Sequence, residues 1–140
     1  MEDALVLSTE SRQLAGILLL ALVTVETGGI YMVKLVRGAA DATPFQVSFA
    51  RAGHAHAGVL LILALVCQLL ADATAQSGFV DWLSRSGVAV AALLMPGGFF
   101  FSSMGRGRDK PNALIALVFV GAVVLAAGLV SLGVGLLTAG

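Results

Sequence analysis

Charge is what this chain has least of. Asp, Glu, Lys and Arg make up 11% of its 140 residues and balance to a formal net charge of zero. A soluble globular domain carries about 25% charged residues, so that class is excluded. Zero net charge also removes the electrostatic reason for expecting nucleic acid as a partner. Cysteine occurs once, as Cys67, which rules out an intramolecular disulfide and a thiolate metal site. Histidine occurs twice, tyrosine once and tryptophan once, so any chemistry that needs several imidazoles or phenols in one chain is closed.

What is abundant is apolar. Hydrophobic residues are 59% of the chain and the mean hydropathy is +1.00. Four runs reach the ~20 residues that a bilayer core requires: about 14–36, 44–71, 83–104 and 113–137. The expected fold is an all-α integral membrane protein, one four-helix transmembrane domain over residues 1–140. Thr43-Pro44 reads as an N-cap followed by proline at the first helical position, and Pro111-Asn112 marks the start of the fourth helix. Asp72–Asp81 reads as a polar loop, with Trp82 as an interfacial anchor. The stretch Met1–Glu10 is acidic, unlike the start of a cleavable signal peptide.

Lys34, Arg37, Arg51, Arg106, Arg108 and Lys110 gather near the first and third connections, against Arg12 and Arg85 on the other side. That asymmetry predicts a multi-pass protein of the cell membrane with those connections in the cytoplasm and both termini outside.

Both histidines lie in Arg51-Ala52-Gly53-His54-Ala55-His56-Ala57-Gly58. Residues two apart on an α-helix sit roughly 200° apart around the axis. His54 and His56 therefore face opposite ways and cannot chelate one ion as an i,i+4 pair can. Counting inward from the helix ends at ~1.5 Å per residue, Glu26, His54, Pro96, Gly97 and Gly121 fall within one layer, ~11–15 Å deep. Ionisable groups inside a span are functional candidates by default. The heptad-spaced Gly121, Gly128 and Gly135 read instead as a close-packing stripe.

A cofactor that wants one histidine per face is haem, whose iron takes an axial imidazole and whose flat ring fits between helices. Gly53, Gly58, Gly97, Gly98 and Gly121 are expected to make room for the ring, Phe99–Phe101 to flank it, and Arg51, with Arg106 or Arg108 as a second route, to meet its carboxylates. Glu26 is expected as a polar partner or proton relay. One chain cannot ligate a single haem with both histidines, so His54 of one copy and His56 of a neighbour would share it. Five-coordinate haem, or a methionine ligand from Met32 or Met95, is the alternative. No Cys-x-x-Cys-His occurs, so the haem would be b-type.

The segment Gly53–Leu61 resembles the His-x-His segment of the catalytic subunit of haem-copper oxidases, and Met95-Pro96-Gly97-Gly98-Phe99 is similar to a Met-Pro…Gly-Gly-Phe pattern there. The resemblance implies that His54 and His56 ligate different haems on opposite sides of one helix. It also implies that a four-helix chain corresponds to one of three arcs, which a ring-like homotrimer would complete. With no other histidine, the family's copper site cannot be built, and with Tyr31 alone its histidine–tyrosine partnership is missing.

The sequence thus points to a redox or electron-transfer role. The expected iron ligands are His54 and His56. The wider cofactor set adds Arg51, Gly97, Gly98 and Glu26, and no residue is singled out as catalytic. Expected partners are the bilayer, further copies of the chain, and a quinone or redox partner protein. The rival reading is a proton or small-cation channel or transporter that uses Glu26 and the histidines without a cofactor.

Overall fold

The computed structural model describes residues 6–139. Glu2 and Asp3 of the acidic N-terminal stretch lie outside them. The chain forms four long helices: α1 Thr9–Val36, α2 Pro44–Ala71, α3 Gly78–Ser103 and α4 Ala116–Thr138, the last entered through a 3-10 turn at Ala113–Ile115. All four are long and apolar enough to cross a membrane, taking the 3-10 turn with α4. The protein is a multi-pass membrane protein.

The second helix begins where the sequence predicts, and for the expected reason. Thr43 Oγ1 accepts the Gln46 backbone N–H, Gln46 Oε1 accepts the Thr43 backbone N–H in return, and Pro44 occupies the first helical position. Asn112 caps the 3-10 turn by accepting from Leu114 N at 2.8 Å. Two boundaries differ from expectation. The first helix starts at Thr9 rather than near Leu14, because Ser8 caps it and its first turn is polar and interfacial. The third starts at Gly78, so Phe79–Asp81 belongs to a helix and not to the polar loop. A hydropathy window sees only the apolar middle of each helix and misses such turns.

The helices pack chiefly in chain order, α1 on α2, α2 on α3 and α3 on α4, with a lighter α2–α4 contact. α3 is the most buried and α1 the least. The core lies between α2 and α3, around Leu60, Ala64, Cys67, Val88, Ala92 and Met95. Small residues let α3 and α4 approach closely. A Cβ built on Gly87 would stand 2.9 Å from the Gly128 Cα, and one on Gly121 would stand 2.5 Å from Met95 Cγ. The glycine stripe of α4 is therefore a packing surface, as its spacing suggests. Large apolar side chains such as Leu20, Leu93 and Phe119 are more than two-thirds exposed, as lipid-facing residues are.

One end of the bundle is locked by a polar cluster. Arg85 Nε lies 2.9 Å from both carboxylate oxygens of Asp81, four residues earlier on α3. Its Nη1 donates to Asp72 at the end of α2 and to Ser11 Oγ on α1, the latter at 2.6 Å. Ser11 Oγ in turn lies 3.0 Å from Asp72 Oδ1, and Ser8 N donates to Asp72 Oδ2 at 2.8 Å. Burial alone would raise the Asp72 carboxyl. The hydrogen bonds from Arg85, Ser8 and Ser11 outweigh that and hold it down at about 2. At the other end, Gln46 Nε2 donates to the carbonyls of Ser103 and Gly105, and Thr43 Oγ1 to that of Arg108.

Candidate functional site

The two histidines do face different neighbours. His54 points at α1, where its ring lies against two successive glycines. A Cβ on Gly28 would lie 3.5 Å from His54 Nδ1, and one on Gly29 would lie 3.8 Å from Nε2. His54 lines a cavity of about 280 Å³ between α1, α2 and α3, with Thr24, Ala57, Ala92, Pro96 and Phe100 among its walls. α3 runs unbroken through Pro96, which has no N–H to offer the Ala92 carbonyl one turn back. Among the described residues His54 has no hydrogen-bond partner.

His56 stands on the opposite side of α2. Its Nδ1 lies 2.7 Å from the carbonyl oxygen of Ala52, one turn earlier. A carbonyl only accepts, so Nδ1 carries the hydrogen and donates it. In the neutral ring, Nε2 is then the bare nitrogen. The ring rests on Phe99 of α3 with centroids 5.0 Å apart, and Phe99 meets Phe49 edge-on at 5.5 Å. Phe49 packs on Phe45 at 4.2 Å, so an aromatic row runs from the start of α2 up to His56.

This pairing of a ring nitrogen with a backbone carbonyl is the device that orients metal-ligating histidines and fixes their tautomer. It leaves His56 able to give one lone pair to a metal outside its own helix. Among the described residues no three His, Cys, Asp or Glu side chains converge on one point. Among those residues one copy therefore forms no multidentate metal cage.

The other residues singled out from the sequence are scattered more widely than their shared depth suggests. Glu26 lies two residues from Gly28, hence on a different side of α1 from the surface that meets His54, and is exposed. Depth and direction are independent on a helix, and only depth was legible. Arg51 is exposed and has no ion pair among the described residues. Gly97 lines a separate cavity of about 600 Å³ with Tyr31, Gln46, Phe100 and Ser103. Gly98 is turned to α4, where a Cβ would stand 2.6 Å from Val118 Cγ2. Gly53 is covered by Phe99 and Phe100, with Cβ contacts of 3.0–3.2 Å. Gly53, Gly98 and Gly121 thus serve helix packing. Met95 sits over Gly121.

Two features were missed. Gly28-Gly29, at the depth of His54 on the neighbouring helix, are the glycines that face an imidazole. A tandem pair at that register was a readable signal. The Arg85 cluster was also missed, though Asp81 and Arg85 have the i,i+4 spacing of a helical ion pair. No protein-family model, curated protein or solved structure matches this chain.

Proposed function

We propose that this chain is a membrane protein that binds b-type haem and carries electrons, working as a ring-like homo-oligomer with a trimer favoured. His54 of one copy and His56 of the next would be the iron ligands. The observation that carries this reading is the pair of rings on opposite faces of α2, one of them with Nδ1 tied to the Ala52 carbonyl and Nε2 left bare.

The residue types beside the two rings support this reading. Gly28, Ala57 and Ala92 line the cavity beside His54, and the imidazole itself lies against Gly28 and Gly29. Phe99 and Phe49 give the apolar flank beside His56. Arg106 and Arg108, at the basic end, are cations available to the carboxylates. When bound, the haem would supply one-electron redox chemistry. The chain's own part is to orient the ligands: the Nδ1–H bond holds the His56 ring from turning, and the glycine backbone of α1 confines His54. The depth of both rings in the apolar layer keeps water away, which strengthens charge interactions there. The excess of lysine and arginine at the first and third connections supports both termini lying on the non-cytoplasmic side. The cofactor-free proton path is less well supported, because Glu26 does not line the cavity of His54.

A visible spectrum tests the reading. Protein expressed with haem supplied is expected to show a Soret band. His54→Ala and His56→Ala are each expected to alter it, since each removes one ligand. Absence of the band from folded wild-type protein refutes haem binding, and unchanged spectra in both variants remove the proposed ligands.

A further inference from the structure

Glu26 and Arg51 are left over by every contact described above. Both sit inside apolar helices, both are exposed, and among the described residues neither has an ion-pair partner. A charge turned toward hydrocarbon is costly, and such groups are normally paired. The two are also close in depth. Gly28 of α1 lies level with His54 of α2. Glu26 is two residues from Gly28, and Arg51 is three residues from His54 in the opposite direction along the bundle. At ~1.5 Å per residue their Cα atoms differ in depth by about 7–8 Å, a gap that a glutamate and an extended arginine span.

We propose that the outer faces of α1 and α2 form an interface between copies of this chain, with Glu26 of one copy paired to Arg51 of a second. The charges identify the occupant. An acid and a base at similar depth on one chain become each other's partners when two copies stand side by side in the same orientation. A lipid tail offers neither charge. α1, the least buried helix, has the most surface to give to such a contact. Arginine suits it because its planar fork binds a carboxylate through two parallel bonds. The contact needs no haem and stands on the apoprotein.

The test is a charge exchange in purified haem-free protein reconstituted in lipid nanodiscs and detergent, with mass measured across a dilution series. Wild-type protein is expected to be oligomeric. Glu26→Arg and Arg51→Glu are each expected to weaken assembly about tenfold or more, as loss of a close interfacial charge pair does. The double exchange is expected to restore it. Helical circular dichroism identifies variants that fold. Should the exchanges fail to fold, Glu26→Gln decides: weakened assembly supports the pair, and unchanged assembly overturns it. A monomeric wild type, or an oligomer indifferent to both single exchanges, also overturns it. Loss of the Soret band alone leaves this contact standing, so the two readings fail separately.

Discussion

Replacing Arg85 by methionine is expected to loosen the bundle from the end where α1 joins it. The side chain bonds both oxygens of Asp81 at 2.9 Å, reaches Asp72, and donates to Ser11 Oγ at 2.6 Å. Methionine keeps much of the stem and removes every donor. Asp72 and Asp81 would be left without their cation at side-chain exposures of 16% and 25%. Removing one partner of a fully buried pair costs about 3–5 kcal/mol, and of an exposed pair about 0–1 kcal/mol. Partial exposure at a bundle end places this loss between them, at about 2–3 kcal/mol. Reversible unfolding in mixed micelles measures it. A double-mutant cycle with Asp72→Asn should return a coupling of about 1–2 kcal/mol, since the two side chains touch. A loss below about 0.5 kcal/mol, or strict additivity in the cycle, would refute the claim that this cluster ties α1 to α2 and α3.

The same cluster fixes an acid dependence. Asp72 falls from an ordinary 3.8 to about 2 in the folded protein. Its contribution is therefore complete above about pH 4 and is lost as pH drops toward 2, by up to about 2 kcal/mol. In Arg85→Met the Asp72 part of that loss should shrink, which the same unfolding assay reads at each pH. Gly128→Val drives a side chain into the Gly87 backbone and is expected to cost about 1–3 kcal/mol of α3–α4 packing. Gly16→Ala meets nothing within 4 Å, and thermal unfolding should find it neutral or up to about 1 kcal/mol stabilising. Thr43→Val removes both the cap on Gln46 N and the bond to the Arg108 carbonyl. It should cost about 1 kcal/mol and raise amide exchange in the first turn of α2.

Much of the architecture was written in local signals. The span of α2 is legible because Thr43, Pro44 and Gln46 act on their own backbone, and a capping box needs no distant partner. The α4 stripe is legible because a seven-residue glycine repeat keeps one face of a helix. The opposite faces of His54 and His56 follow from helix geometry alone. The start of α3 was not legible, because Phe79–Asp81 looks like a loop until Asp81 is seen to pair with Arg85.

The composition and pattern of the sequence by themselves determined a membrane protein of four crossing helices, and two imidazoles that cannot share one ion within a chain. Those conclusions depend on transfer of apolar surface and on the angle per residue, which are properties of short segments. The tertiary structure decided which glycines are spent. Gly53, Gly98 and Gly121 lie at the right depth for a cofactor, yet they meet Phe100, Val118 and Met95, while Gly28 and Gly29 meet His54. It also turned Glu26 away from the histidine whose depth it nearly shares. The rotation of each helix about its own axis is set by how whole side-chain surfaces interlock, and no local stretch of sequence contains that information.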